Sequence, residues 1–332
     1  MTIYFPAYYE KFHCIAAACP DSCCKEWDVD VDDKAAAYYR QLPGALGKRL
    51  REVLVDTEDG TIMQIENGRC PMWQPDGLCR IQAELGHDAL CKTCREFPRL
   101  RHDYGDFVEL GLELSCPEAA RLILTESDHT MITRDTPGGE PPEYDVQVMG
   151  VLRESRHQAL ELLDNSRYTL PEKLAILLLY AHAVQGQIDG GDEPHFNPEN
   201  CLSIARNHAL CGDMQGIFAF FRSLEILTPQ WRERLSSHPV PPVWSAPLTE
   251  LARYLILRYW FQTVSDFDLV CRAKLVVISC LLVAALGGDP IQTAQLFSKE
   301  IENDPDNLEA ILSGAYTSPI LTDTSLISLL LP

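Results

Sequence analysis

Basic residues are scarce in this sequence of 332 residues. Lysine and arginine number 28 against 48 aspartates and glutamates, and the formal net charge is −20. A surface this acidic repels phosphate groups, so the composition argues against nucleic acid or an anionic membrane as the main partner. It favours a cationic partner, such as a lysine-bearing protein. Solubility alone is a second explanation of the acidity.

The sequence also shows no targeting segment and no membrane span. It does not open with a basic flank and an apolar run, which a signal peptide would require. Its most apolar stretch, Leu275 to Leu286, is too short to cross a bilayer. We therefore expect a cytoplasmic protein. Thiols stay reduced in that compartment, so clustered cysteines are expected to bind metal or act in catalysis rather than form disulfides.

Cysteine is the residue that the sequence concentrates. Nine of its thirteen cysteines lie within about a third of the chain. These nine are Cys14, Cys19, Cys23, Cys24, Cys70, Cys79, Cys91, Cys94 and Cys116. Four thiolates can bind Zn²⁺ tetrahedrally or hold a [4Fe–4S] cluster. We therefore predict a metallocentre that draws its ligands from these nine, and the pattern leaves open both the metal and the number of sites.

Other side chains near the cysteines are weaker candidates. Arg95 and Arg99 are spaced one helical turn apart beside Cys94, and arginine can bind a carboxylate in bidentate geometry. Ordinary surface charge is the alternative for both. His13 and His87 adjoin cysteines in the sequence and could be ligands or only hydrogen-bonded groups. Four further cysteines lie in apolar helical stretches without ligand-like spacing and are predicted to be small core residues: Cys201, Cys211, Cys271 and Cys280.

Hydrophobic periodicity predicts a mainly α protein in two parts. Residues 1–133 are predicted to form a small, irregular, cysteine-rich metal-binding domain with a few short strands, and residues 1–33 are expected to be mostly irregular. Residues 134–144, rich in proline and glycine, are predicted to be a linker. Residues 145–332 are predicted to be all-helical. The predicted helices cover Val146–Leu163, Leu170–Ile188, Glu199–Leu210, Met214–Leu227, Leu248–Thr263, Asp266–Leu286, Ile291–Ile301 and Asn307–Leu312.

Segments at both ends of the chain together follow a family pattern. In the cysteine-rich part they are Phe12-His-Cys14, Cys19-Pro-Asp-Ser-Cys23-Cys24 with Trp27, Gly77-Leu-Cys79-Arg-Ile, Cys91-x2-Cys94-Arg-x-Phe-Pro-Arg99 and Leu114-Ser-Cys116-Pro-Glu. In the helical part they are Arg253-Tyr254, Arg258-Tyr259 and Phe297-Ser-Lys-Glu-Ile-Glu-Asn-x3-Asn307. The pattern resembles that of the flagellin lysine-N-methylase family and, more broadly, of cysteine-rich zinc- or iron-chelating domains.

This resemblance implies methylation of lysine ε-amines on flagellin. It also implies S-adenosylmethionine as the methyl donor and an iron–sulfur cluster that is needed for activity. On this interpretation Arg95 and Arg99 are expected to hold the carboxylate of the donor. A [4Fe–4S] cluster with three protein ligands would leave one iron free to bind the amino and carboxylate groups of the donor.

The residues alone do not show methyl transfer. The motif G-x-G-x-x-G is absent, so nothing supports a Rossmann-type pocket for the donor. The C-x3-C-x2-C spacing of radical S-adenosylmethionine enzymes is incomplete, because Glu26 stands where the third cysteine would follow Cys19 and Cys23. A cluster would therefore need ligands from separate blocks. Two alternatives stay open, namely a non-catalytic zinc-binding interaction module and an iron–sulfur redox protein.

Overall fold

The computed structural model describes residues 1–25, 27–207 and 212–332. Glu26 lies outside the described residues, as do Cys211 and the last three residues of the predicted helix Glu199–Leu210. Helices make up most of the described chain, which confirms the predicted mainly α class. No helix among the described residues has both the length and the apolar character needed to span a membrane.

The strands belong to the amino-terminal part of the chain and form two sheets. In chain order they are β1 (Thr2–Pro6), β2 (Val29–Val31), β3 (Leu54–Thr57), β4 (Gly60–Met63), β5 (Arg99–Asp103), β6 (Phe107–Leu112) and β7 (Met131–Asp135). The first sheet has the order β5–β6–β1–β7, with β1 parallel to β6 and antiparallel to β7. The second sheet has the order β2–β4–β3 and is antiparallel.

Two of these strands were not predicted from the sequence. Strand β1 lies in the segment 1–33, which was expected to be mostly irregular, and it pairs with partners more than a hundred positions away, such as Phe107 and Asp135. Strand β7 continues through Asp135, two residues into the segment predicted as a linker. Neither strand alternates cleanly between apolar and polar residues, so only long-range pairing reveals them.

Short helices surround the sheets. They are α1 (Asp33–Gln41), α2 (Gly44–Val53), α3 (Arg80–Leu85), α4 (Lys92–Glu96) and α5 (Pro117–Thr125). Asp32 caps α1, because its Oδ1 accepts the N–H of Ala35 at 3.1 Å. Its Oδ2 accepts the N–H of Lys92 at 2.7 Å. One carboxylate therefore joins the beginnings of α1 and α4.

The helical region follows. Its helices are α6 (Val146–Asp164), α7 (Leu170–Ile188), α8 (Pro198–Asn207), α9 (Met214–Ser223), α10 (Pro229–Ser236), α11 (Ala246–Tyr259), α12 (Thr263–Asp266), α13 (Val270–Leu286), α14 (Pro290–Ile301), α15 (Pro305–Thr317) and α16 (Asp323–Leu330). Every residue of α13 is buried, and it packs against α7, α11, α14 and α15. A helix that is apolar on all sides is expected at the centre of such a bundle.

Buried apolar side chains form two clusters. The larger cluster fills the helical region and extends to Phe12, Leu114 and Ile123 of the amino-terminal part. The smaller cluster lies among β2, α1 and α2 and includes Cys70 and Cys91. Helix α5 packs against α11 and α14. The segment that begins at Cys116 is therefore built into the core of the helical region.

Candidate metal centre

The nine amino-terminal thiols fall into two neighbouring groups. The first thiol group consists of Cys14, Cys19, Cys23 and Cys116. The second thiol group consists of Cys24, Cys70, Cys79, Cys91 and Cys94. Within each group, the charge of one thiolate raises the pKa of another member. The groups adjoin each other, because Cys23 and Cys24 are consecutive residues and the charge of Cys23 also raises the pKa of Cys94.

The first thiol group is drawn from two distant segments. Cys19 ends a single 3-10 turn, and its Sγ donates to the carbonyl oxygen of Asp21 at 3.3 Å. Cys116 is the N-cap of α5. The turn between Cys70 and Cys79 lies against this group. Its Gly77 approaches Ala17 so closely that a Cβ on Gly77 would lie 3.2 Å from the Cα of Ala17. Gly77 also has a φ of +81°, a conformation that favours glycine. Both this φ and the close approach to Ala17 therefore favour glycine at this position.

The second thiol group lies on the smaller apolar cluster. The N–H of Cys70 donates to the carbonyl oxygen of Cys24 at 2.7 Å, and Trp73 forms a β-bridge with Cys79. Cys79 and Cys91 are the N-caps of α3 and α4. Cys70 and Cys91 are buried. Tertiary contacts therefore bring together thiols from four separate stretches of sequence.

Two thiol pairs share hydrogen bonds that change their pKa values. The bond between Cys23 and Cys24 raises the pKa of Cys23 and lowers that of Cys24 to about 7. The bond between Cys91 and Cys94 lowers the pKa of Cys91 to about 7 and raises that of Cys94. One thiol of each pair is thus ionised more readily than the other, and the thiolate is the form that binds metals.

The donor chemistry of both groups fits a metal that prefers sulfur. Within residues 1–25, 27–207 and 212–332, no three histidine, cysteine, aspartate or glutamate side chains are placed to hold a metal ion as they stand. Every cysteine in the described part of the chain is a free thiol. Zinc and iron–sulfur clusters both take thiolate ligands. Ligation would require these side chains to rotate towards a shared centre.

The two arginines predicted to bind a carboxylate do not lie on one helix. Helix α4 ends at Glu96, and Arg99 begins β5. The Nη1 of Arg95 donates to the carbonyl oxygen of Leu90 at 3.4 Å, whereas the guanidinium of Arg99 lies 5.2 Å from the centre of the Phe12 ring. The helical spacing behind the prediction is therefore wrong. Their role in binding stays a prediction.

The remaining sequence candidates lie apart from these contacts. His13 and His87 are exposed, and the Nδ1 of His87 is 3.9 Å from an oxygen of Asp88. Cys271 and Cys280 are buried in α13, which agrees with their predicted role as small core residues. Cys201 is half-buried in α8, and Cys211 is outside the described residues.

An ionic contact that sequence reasoning missed joins the first thiol group to the helical region. One oxygen of Asp21 lies 2.8 Å from the Nζ of Lys25, and the other lies 3.2 Å from the Nζ of Lys299. Gln295 donates to Asp21 at 3.1 Å and to the carbonyl oxygen of Ser115 at 2.6 Å. Burial alone would raise the pKa of Asp21, but the hydrogen bond from Lys25 and the charge of Lys299 lower it below its ordinary value.

A second buried network lies beside it. The Nε of Arg258 is 3.3 Å from Glu302, and its Nη2 is 3.7 Å from Glu113. Tyr259 donates to Glu302 at 2.8 Å, and Arg258 donates to the hydroxyl oxygen of Tyr254 at 2.6 Å. The carboxyl-terminal part of the family pattern contains Arg258, Tyr259 and Glu302. The family pattern therefore pointed to Arg258, Tyr259 and Glu302, but it did not point to Glu113, which Arg258 contacts.

Three curated proteins are similar to this chain. Lysine-N-methylases of Salmonella typhimurium and Salmonella choleraesuis are each 32% identical to it over 149 residues, which cover 41% of this chain and 36% of each relative. Flagellar biosynthetic protein FliU of Salmonella muenchen is 33% identical over 141 residues, which cover 39% of this chain and 80% of FliU. The chain belongs to the flagellin lysine-N-methylase family.

Membership of this family confirms the resemblance seen in the cysteine order. The chain spans about a third of the length of the two lysine-N-methylases that it matches. No family model matches the chain. No solved structure matches it.

Proposed function

We propose that the chain is an S-adenosylmethionine-dependent protein lysine N-methyltransferase that acts on flagellin and depends on a cysteine-ligated iron–sulfur cluster. Membership of the lysine-N-methylase family is the observation that carries this proposal. The gathering of nine thiols from separate segments supports the cluster. The acidic surface, with a net charge of −20, suits a lysine-bearing protein substrate.

The reaction needs an uncharged lysine amine. Its lone pair forms a bond to the methyl carbon, the bond from that carbon to the sulfonium sulfur breaks, and S-adenosylhomocysteine leaves. The proton of the lysine ammonium must be lost to a base or displaced by desolvation before transfer. A cysteine-ligated cluster, when bound, would supply an iron able to bind donor groups.

We assign the two thiol groups to two separate centres. The second thiol group lies on the smaller apolar cluster, where a metal would mainly stabilise the fold. The first thiol group includes the exposed Cys14 and Cys23 and is the more accessible of the two. We therefore assign the reactive cluster to the first group.

Anaerobic purification tests the cluster and the activity together. Iron and sulfide analysis with an EPR spectrum should reveal a cluster, and mass spectrometry should find methylated lysine after incubation with flagellin and the donor. A colourless protein with stoichiometric zinc would contradict the cluster. Unmodified flagellin under reducing, anaerobic conditions would contradict the methyltransferase assignment.

Serine substitutions test the two-centre assignment. Cys91→Ser with Cys94→Ser should remove the metal of the second group and leave that of the first. Cys14→Ser with Cys116→Ser should do the reverse and also abolish methylation. Cys201→Ser is the control and should leave metal content unchanged. Full metal content in either double variant would contradict the assignment.

A non-catalytic zinc-binding interaction module is the second candidate. The packing of the second thiol group favours it, because structural zinc sites are closed thiolate sites and this group lies on the smaller apolar cluster with Cys70 and Cys91 buried. Metal identity and methylation separate the two candidates. The zinc module predicts zinc in both groups and binding to flagellin without modification.

A further inference from the structure

Trp73 lies between two cysteines of the second thiol group. Its backbone N–H donates to the carbonyl oxygen of Cys70 at 2.9 Å, and its backbone forms an antiparallel bridge with Cys79. Residues directly opposite each other in an antiparallel pair place their side chains on the same face, with Cβ atoms about 4.5–5.5 Å apart. The side chains of Trp73 and Cys79 are therefore neighbours on one face of the turn between Cys70 and Cys79.

The indole of Trp73 carries a buried donor without an acceptor. Its Nε1 is shielded from solvent, and no acceptor among the described residues lies within hydrogen-bond distance of it. An indole N–H can only donate, and leaving a buried donor unpaired is unfavourable. The indole of Trp260 shows the usual arrangement, because its Nε1 donates to the Oγ of Ser155 at 3.0 Å. The unpaired donor of Trp73 therefore indicates an acceptor that the described side chains do not supply as they stand.

The surroundings of Trp73 restrict the position of its ring. The guanidinium of Arg69 lies 4.2 Å from the centre of the ring, which is a cation–π distance. The next backbone contact fixes the same turn, because the N–H of Arg80 donates to the carbonyl oxygen of Met72 at 2.7 Å. The half-buried ring is thus held beside Cys79 by the cation and by the backbone of the turn.

A metal-bound thiolate fits the required acceptor. Burial raises the pKa of the Cys79 thiol, whereas hydrogen bonds from the N–H groups of Gln82 and Ile81 lower it. A thiol that binds a metal loses its proton, so its sulfur accepts hydrogen bonds and no longer donates. Hydrogen bonds to the ligands of a metal orient those ligands and adjust the properties of the metal.

We propose that the indole N–H of Trp73 donates a hydrogen bond to a metal-bound thiolate of the second thiol group, with Cys79 as the cysteine directly opposite. Trp73 is then a positioning residue, which acts on the metal through its ligand. The inference rests on the proposed function for the metal of this group. It assigns a polar role to Trp73, whereas a purely apolar role would be met by phenylalanine as well.

Zinc affinity tests this role in the full chain that carries Cys14→Ser and Cys116→Ser, in which only the second thiol group is expected to bind metal. Trp73→Phe keeps an aromatic ring and removes the N–H. It should weaken Zn²⁺ binding about 10- to 100-fold, since a group that orients a ligand is lost. Competition with a chromogenic chelator measures the affinity. Trp244→Phe, which replaces a half-buried tryptophan of the helical region, is the matched control and should bind Zn²⁺ as the parent chain does.

A resonance measurement covers the case in which Trp73→Phe fails to fold. The parent chain, with all its tryptophans, is loaded with Cd²⁺ enriched in a magnetic isotope, since this soft metal also binds thiolates. A hydrogen bond from the indole to a metal-bound sulfur should produce scalar coupling between Cd²⁺ and the indole proton of Trp73. Packing of the ring without a hydrogen bond would not produce this coupling.

The outcomes separate Trp73 from the proposed function. Unchanged Zn²⁺ affinity in Trp73→Phe, or no coupling in the Cd²⁺-bound chain, would overturn the role of Trp73 and leave the metal centre standing. Equal losses of affinity in Trp73→Phe and Trp244→Phe would also overturn that role. A parent chain that binds neither metal would overturn this inference together with the second centre, while methylation by the unmodified chain tests the proposed enzyme independently.

Discussion

The two parts of this protein are stabilised differently. In the helical region, long helices surround the wholly buried α13, and one large apolar cluster extends through the bundle. In the cysteine-rich part, helices such as α3 and α4 have only six and five residues, and the separate apolar cluster is small. Isolated helices this short are not stable by themselves.

With the proposed metal centres, the difference would separate stabilisation by apolar burial from stabilisation by ligation. A small region with little apolar core usually needs disulfides, a metal or docking onto another part of the protein. The described cysteines here are free thiols, and the region docks through Asp21 and Glu113 onto α11 and α14. Docking and the proposed metal binding are therefore the two interactions whose removal should affect this part most.

Metal removal should produce the largest contrast. After treatment with a strong chelator, amides of β2, α1 and α4 should lose protection from hydrogen exchange by at least about tenfold, since metal binding contributes directly to folding. Amides of α13 should keep their protection. Hydrogen exchange with mass spectrometry measures both. Equal loss of hydrogen-exchange protection in the two parts would show that they unfold as one unit and would contradict the contrast between them.

Breaking the buried ionic network should have the next largest effect. Arg258→Met should lower the free energy of unfolding by about 3–5 kcal/mol, because it leaves a buried carboxylate on Glu302 unpaired. Adding Glu302→Gln to this variant should recover much of the loss. Arg232→Met, an exposed arginine on α10, should change stability by less than about 0.5 kcal/mol. Denaturant unfolding measures the stability of all three variants. A further loss of stability on adding Glu302→Gln would contradict the pairing of Arg258 with Glu302.

A cavity in the helical core should have a somewhat smaller effect. Leu281 is fully buried in α13, and Leu281→Ala should cost about 2–5 kcal/mol through lost apolar burial and the space that remains. Metal content should not change, since this core does not depend on ligation. Val146→Ala is the exposed control. Metal loss in Leu281→Ala would show that the two parts are more tightly coupled than the comparison assumes.

Loss of a helix cap in the cysteine-rich part should give the smallest effect. Asp32→Ala removes the acceptor for the N–H groups of Ala35 and Lys92 and should cost about 1 kcal/mol. Asp33→Ala, one residue further along α1, is the matched control and should cost less. Thermal unfolding of the metal-bound protein measures the difference. Equal effects of the two substitutions would show that the link between α1 and α4 does not contribute to stability.

Local signals made much of the helical region predictable. Helix α7 was predicted with its observed bounds from the three- and four-residue spacing of its apolar residues, and in the structure a capping box of Thr169 and Glu172 begins it. Helix α10 was missed, since it is short and lies among prolines. Strands β1 and β7 were missed because they form by pairing with each other across more than a hundred positions, which no local pattern indicates.

The candidate site was predictable in composition but not in arrangement. The cysteine spacing identified the nine thiols, yet their division into two groups depends on contacts such as Cys70 with Cys24. The pairing of Asp21 with Lys299 spans 278 positions, and no local pattern reports a contact of that kind. Arg95 and Arg99 show the opposite error, since a helical spacing was assumed across a segment that changes to a strand.

The contact between Asp21 and Lys299 has a consequence for biosynthesis. Lys299 is the 278th residue that a ribosome adds after Asp21. The amino-terminal thiols therefore emerge long before α14 exists to dock against them. Insertion of the proposed cluster into the first thiol group should accordingly follow the synthesis of α14, and a nascent chain halted before α14 should carry less iron than the released protein.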